Sequence, residues 1–209
     1  AFRSIAPAPA DPILGLTEAY RADTNPDKVN LGVGVYKDES GQTPVLESVR
    51  RAEAMILDSQ TTKSYLPIPG DPMYGQCVRR LLFGLQHELA GNGRAVTAHT
   101  PGGTGALSLG ALWLRSVIPD AVVRLSRPTW ANHRGVFGNA GFPMEDYPYY
   151  AADAHAVDEA ALLDVFSSFG PKDIAVLHVS CHNPTGCDLS LDAWRALAES
   201  AAKTGWIPF

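Results

Sequence analysis

Cysteine is scarce: Cys77, Cys181 and Cys187 are the three in 209 residues. They do not make a disulfide framework, and a reducing, cytoplasmic setting fits best. The chain has no Lys/Arg cluster and carries a formal net charge of −5, so nucleic acid is not an expected partner. It has no long apolar run. Its uncharged stretches are broken by Gly, Pro and polar residues, so no membrane span is expected. Residues 1–10 lack the Lys/Arg-led apolar core of a secretory signal. Pro7 and Pro9 make that segment an extended arm instead. Internal repeats and low-complexity tracts are absent too. What is present is 45% hydrophobic residues, enough for a sizeable core. The length suits one medium or two small domains.

Asp11-Pro12 reads as a helix start, an acidic N-cap followed by Pro in the first turn. That helix runs to about Arg21. Residues 29–36 are short and broken by Gly32 and Gly34, so they read as extended chain whose backbone approaches something closely. Asp38-Glu39-Ser40-Gly41 is a turn. Residues 45–58 are helical, with Val45, Val49, Ala52 and Ile56 on one face. A loop over 61–70 precedes another helix start at Asp71-Pro72, where Val78, Leu81, Leu82 and Leu85 take helical spacing. From Ala95 onward, short β-rich runs (95–98, 122–125, 144–147, 174–179, 206–209) alternate with helical stretches near 104–116, 131–139, 158–168 and 190–203. This alternation predicts βαβ units and a mainly parallel sheet. A soft boundary near residue 40 divides an N-terminal segment, 1–40, from a large α/β domain, 41–209. Trp206-Ile207-Pro208-Phe209 begins an apolar strand at the last residues, which suggests a fragment of a longer protein.

Three segments fall after predicted strands, on the edge where parallel sheets place ligands. Thr100-Pro101-Gly102-Gly103-Thr104-Gly105 opens a helix. Its glycines let backbone N–H groups turn toward an anion, and Thr104 adds a hydroxyl, so phosphate is the natural guest. A tight strand-to-helix turn is the plainer reading. No Gly-Lys-Ser/Thr follows, which excludes a P-loop. A dinucleotide fingerprint is only partial, with Ser108 where its third glycine belongs and Arg127 near the place of its acid. Trp130, after the next strand, offers a ring to stack on an aromatic cofactor; Trp113, Trp194 and Trp206 are expected in the core. Cys181-His182-Asn183-Pro184-Thr185-Gly186 follows the apolar run 174–179, and Asn183 supplies an amide donor and an acceptor on a pre-set backbone. His178, Cys181, His182 and Cys187 lack the paired spacing of a zinc site. His133 reads as a satisfied polar residue near the site, and Tyr65 as a loop packing residue.

A phosphate cradle, a stacking ring and a polar anchor on one sheet edge suit pyridoxal phosphate better than a nucleotide. With these motifs the chain resembles the aspartate/aromatic amino acid aminotransferases, pyridoxal-phosphate-dependent enzymes of fold type I. The resemblance covers essentially the whole chain. It includes Pro9-Ala10-Asp11-Pro12-Ile13-Leu14, Asn30 to Asp38, Thr43-Pro44-Val45-Leu46, Thr61 to Tyr65, Pro101 to Leu107 and Cys181 to Gly186. It implies the large domain of that fold, a mainly parallel sheet with flanking helices, truncated at the C-terminus. It further implies that Gly103 and Thr104 bind the cofactor phosphate, with Gly102 where some relatives carry Ser. By the same resemblance Trp130 stacks on the pyridine ring, Asn183 bonds its phenolic oxygen and His133 lies behind it. Tyr65 would reach the phosphate of the neighbouring subunit of a homodimer, and Gly34 would contact the substrate carboxylate.

The family's Schiff-base Lys, ring-nitrogen Asp and substrate Arg fall beyond the point matching Phe209, so the isolated chain is expected to be inactive. The parent is expected to be a cytoplasmic enzyme exchanging an amino group between aspartate or an aromatic amino acid and a 2-oxo acid. Two readings stay open beside it. One is a non-catalytic α/β fragment; the other is an NADP-type Rossmann oxidoreductase using Arg127.

Overall fold

The computed structural model describes residues 12–29 and 34–209. The extended arm expected at Pro7 and Pro9, the helix start expected at Asp11, and Asn30 to Val33 of the expected extended segment lie outside them. Two compact units divide the chain, Ala1–Tyr65 and Leu66–Phe209.

In the first unit, α1 spans Pro12–Ala22 and α2 spans Glu47–Ser59. The turn between them is organised by Asp38, whose carboxylate accepts from the N–H groups of Ser40 and Gln42 and from the Ser40 hydroxyl. The same three bonds hold the Asp38 carboxyl below its ordinary range, with the Ser40 hydroxyl contributing most. Helix α2 has the expected period, but among the described residues it buries none of its side chains, and Val49 and Ile56 stay exposed.

The second unit contains α3 (Pro72–Phe83), a 3-10 turn (Glu88–Ala90) and α4 (Gly102–Val117). Next come β1 (Val122–Arg127), α5 (Asn132–Asn139), β2 (Met144–Pro148), β3 (Tyr150–Ala151), β4 (Ala156–Val157) and α6 (Glu159–Phe166). The last elements are β5 (Asp173–Ala175), α7 (Leu191–Thr204) and β6 (Ile207–Pro208). Asp71 accepts from the N–H groups of Met73 and Tyr74 and starts α3, as its sequence predicts. The main sheet has strand order β2-β1-β5-β6, and every pairing in it is parallel. Beside it, β3 and β4 form a small antiparallel pair that sequence patterning did not anticipate. Two-residue strands are too short to carry a period.

Residues 95–98, expected as a strand, are not one, and Val96 is exposed. A strand is a pairing, and the described residues give this run no ladder. The run 174–179 is shorter than expected as a strand. Its extended pairing continues to Leu177, through Val176 N–H to Arg124 O and Leu177 N–H to Phe209 O, each 2.9 Å.

Alternation along the strands separates two cores. Val123, Leu125, Ile174 and Val176 face α4 and α5, where they pack with Ala111, Leu114, Val136, Phe137 and Phe142. On the other face, Tyr147, Tyr149 and Ala175 pack with Leu162, Phe166, Leu197 and Trp206 of the α6–α7 layer. Fully burying a Leu or Phe in either core contributes about 1.5–3 kcal/mol. Trp113 is a correction: it is 62% exposed instead of in the core. Ala111 and Leu114 turn one side of α4 to the sheet, and Trp113 projects from another side.

The topology fixes where a ligand can enter. From β1 the chain passes through α5 to β2 on one side; from β5 it passes through α7 to β6 on the other. The two connections diverge, so a crevice opens beyond the carboxyl ends of β1 and β5.

Candidate functional site

Three segments lead into that crevice. Pro101 stands at the N-cap of α4 with no side-chain cap, and Gly102 has φ of +72°, a conformation that favours glycine. A Cβ on Gly102 or Gly103 would meet nothing within 4 Å. The start of α4 is therefore open on the Cβ side of these two glycines, and it carries the positive end of the helix dipole. Gly105 differs. A Cβ there would lie 3.3 Å from the Pro101 ring, so this glycine serves the turn itself.

After β1, Thr129 bonds His133 Nδ1 through its hydroxyl at 2.8 Å. The His133 ring meets the edge of Trp130 at a centroid distance of 5.4 Å. His133 is buried, while Trp130 is only part-buried. Asn132 donates from its side-chain amide to the Thr104 hydroxyl at 3.1 Å. This bond ties the start of α5 to the start of α4.

After β5, the alternation of Ile174 and Val176 continues to His178, whose ring lies 5.1 Å from that of His133. The Asn183 N–H donates to His178 Nδ1 at 2.9 Å. A neutral His178 then carries its proton on Nε2, and Nε2 is buried with no partner. His182 stacks between His178 and Tyr149, at 4.4 and 3.8 Å. Its ring nitrogens are engaged by the hydroxyls of Ser126 at 2.9 Å and Thr185 at 2.8 Å. The Asp188 carboxylate accepts from the N–H groups of Cys181 and His182, which fixes the loop while Cys181 holds φ of +54°.

The electrostatics follow from burial. Desolvation, helped by the neighbouring His178, pushes His133 down to about 4. Desolvation with the adjacent His178 does the same to His182, also to about 4. Burial lowers His178 as well, against the pull of Asp188. All three rings are therefore neutral near pH 7. Asp188 is lowered by the two backbone N–H groups it accepts from, that of Cys181 first.

Residues 26–209 match the family described as "Aminotransferase class I and II". The chain belongs to that family. It is 48% identical over 207 residues to the aspartate aminotransferase of Salmonella typhi, covering 99% of this chain and 52% of that protein. It is 42% identical over 207 residues to the aromatic-amino-acid aminotransferase of Pseudomonas aeruginosa, covering 99% of this chain and 52% of that protein. Among solved structures, the aromatic-amino-acid aminotransferase of Burkholderia pseudomallei, covalently bound to pyridoxal phosphate, is similar at a TM-score of 0.94 and 46% identity. That match covers 100% of this chain and 52% of the other. The aminotransferase-family chain thus spans about half the length of the relatives it matches, and over that half its fold is theirs.

Of the residues singled out in the sequence, Thr104, Trp130, His133 and Asn183 come together through the contacts above, with Gly103 beside Thr104 on α4. Tyr65 and Gly34 belong to the first unit, where both are exposed and Gly34 has open space around it. Sequence reasoning missed Asn132, Thr129, Ser126 and Asp188, and it weighed His178 and His182 only as a zinc site, which their spacing argues against. For His178 a signal did exist: it continues the alternation of a buried strand onto the inner face. Neither lysine of the second unit reaches the crevice. Lys172 pairs with Asp120 at 3.9 Å where β1 and β5 begin, and Lys203 lies in the last turn of α7.

Proposed function

We propose that the protein carrying this chain is a pyridoxal-phosphate aminotransferase. It exchanges an amino group between aspartate or an aromatic amino acid and a 2-oxo acid such as 2-oxoglutarate. The observation that supports this reading is the run of contacts that links Thr104 through Asn132 to the Trp130–His133 segment, and His133 through His178 to Asn183. The named aspartate and aromatic relatives support it.

The residues fit a phosphorylated pyridine. The start of α4 is open at Gly102 and Gly103, Trp130 is only part-buried, and the buried Nε2 of His178 has no partner. When bound, pyridoxal phosphate supplies the carbonyl that takes up the amino group and a ring that withdraws electrons. The chain's own residues bind and orient it. Gly103 donates its backbone N–H, and Thr104 its hydroxyl, to the phosphate. Trp130 covers one ring face and excludes water from it. Asn183 donates its side-chain amide to the phenolic oxygen. His133, neutral through burial, backs the ring without adding charge. In a homodimer Tyr65 reaches the neighbouring subunit's phosphate, and Gly34 meets the substrate carboxylate through its backbone. Residues 1–40 serve as the arm and small-domain segment, and 41–209 as part of the large cofactor domain of a cytoplasmic enzyme. The lysine amine, the ring-nitrogen acid and the substrate arginine come from outside residues 1–209.

In the protein carrying this chain, Thr104→Val weakens cofactor binding by about 1.5–3 kcal/mol, the loss of one charge-assisted hydrogen bond. Unchanged affinity would remove Thr104 from the cradle. The substrate reading is checked by kcat/KM for aspartate, phenylalanine, tyrosine and alanine with 2-oxoglutarate. The expected result is activity on aspartate and at least one aromatic amino acid; a clear preference for alanine rejects it.

A further inference from the structure

Asn132 occupies an unusual position for its residue type. It is the first residue of α5, beside an N-cap, Ala131, that makes no side-chain cap bond. Asparagine near a helix start commonly bonds its own helix. Here its Nδ2 instead donates across to the Thr104 hydroxyl on α4, 28 residues away in sequence. The other end of the amide faces home: Oδ1 lies 3.8 Å from where a Cβ on Gly135 would stand, within the first turn of α5. This orientation suits the chemistry at both ends, because first-turn amides are donors and call for an acceptor.

The direction of the bond has a consequence for Thr104. A hydroxyl has one proton to give and two lone pairs to fill. With Asn132 donating to it, the Thr104 oxygen accepts on that side and its proton is left to give elsewhere. An anion against the α4 amides needs donors. An acceptor in place of Asn132 would reverse the arrangement by drawing the Thr104 proton away.

We propose that Asn132 is a positioning residue that sets Thr104 as a hydrogen-bond donor to the cofactor phosphate; this rests on the reading of α4 as the phosphate cradle. Segment 129–133 then serves two subsites at once. Trp130 addresses the ring, Asn132 addresses the phosphate through Thr104, and His133 anchors both by its contacts with Thr129 and His178. Asn132 and Thr104 line an open cleft of about 300 Å³ between α4 and α5 with Ser108 and Val136. Shortening Asn132 therefore leaves the core packing in place.

The test uses the protein carrying this chain, prepared without cofactor, in five forms: unchanged, Asn132→Ala, Asn132→Asp, Thr104→Val and Asn132→Ala/Thr104→Val. Dissociation constants are measured by equilibrium dialysis for pyridoxal phosphate and for pyridoxal, which lacks the phosphate. The ³¹P chemical shift of the bound cofactor is recorded in parallel. Asn132→Ala should weaken pyridoxal phosphate about 5-fold and Asn132→Asp by about 30-fold or more, with the ³¹P resonance displaced in both. Pyridoxal affinity should not change. In the Thr104→Val background, Asn132→Ala should add less than about 2-fold, since the two residues act through one bond. Equal losses for pyridoxal and its phosphate, or the same Asn132→Ala loss with and without Thr104, would overturn the proposal. A loss in Thr104→Val with none in either Asn132 variant would overturn it while leaving the cradle standing. No loss in Thr104→Val would overturn the cradle and the proposal together.

Discussion

Helices α4 and α7 flank the same sheet and are of similar length, 16 and 14 residues, yet they begin in opposite ways. In α7, the Ser190 hydroxyl accepts from the Ala193 N–H, Asp192 sits in the first turn, Lys203 in the last, and Gly205 closes the helix in the left-handed conformation. α3 and α6 start in the same matched way, on Asp71 and Asp158. In α4, a proline that cannot cap is followed by glycines, with no acid in the first turn. α5, which starts beside it, also has no side-chain cap. The His178 Nε2 without a partner and the neutral histidines lie at this same crevice. Unmatched polar groups cost stability wherever they occur. They are concentrated at one sheet edge, while every remaining α-helix start of the unit is matched.

The largest contrast to break is in pH. His133 and His182 titrate near 4 when folded, against an ordinary value near 6.5, so the unfolded chain takes up protons first as pH falls. Their contribution is fully present above about 6.5 and is lost as pH falls toward about 4, on the order of 3 kcal/mol for each ring. Urea unfolding between pH 7.5 and 4.5 should show this steep loss, and His182→Gln should flatten it. An unaltered slope in that variant would mean that His182 is not a source of it.

A glycine pair sharpens the comparison at a smaller scale. A Cβ on Gly110 would stand 2.9 and 3.0 Å from atoms of the Phe209 ring. Gly110→Ala should therefore cost about 1–3 kcal/mol in thermal or urea unfolding. Gly103→Ala meets no such neighbour. It should leave stability unchanged or raise it by up to about 1 kcal/mol, while weakening the binding of pyridoxal phosphate. Equal destabilisation by both would erase the distinction between packing and cradle glycines.

The smallest effect belongs to the capped helix. Ser190 also bonds Glu159 of α6 through its N–H and hydroxyl, at 2.6 and 2.9 Å. Ser190→Ala should cost about 1 kcal/mol of stability and leave cofactor affinity alone. A clear loss of affinity in this variant would put α7 in the site.

The helices were legible because their signals are local. Asp71-Pro72, Ser190 and Gly205 mark ends, and spacing within each helix marks the face to be buried. Strand order put Trp130 after β1 and Asn183 after β5, whereas the strand expected before Thr104 is not formed. The sequence by itself therefore determined the parallel α/β plan and the family resemblance. Partners distant along the chain were decided by the tertiary structure. Whether 95–98 finds a strand to pair with, and which side of α4 holds Trp113, depend on neighbours that no local period names. The His178 tautomer is set by the Asn183 N–H, the loop around Cys181 by Asp188, and the Thr104 hydroxyl by Asn132. Hydrogen bonds act over about 3 Å in space and are indifferent to sequence separation. The sequence pattern shows the glycine turn at Gly102-Gly103, and only the fold shows that Asn132 meets Thr104 there.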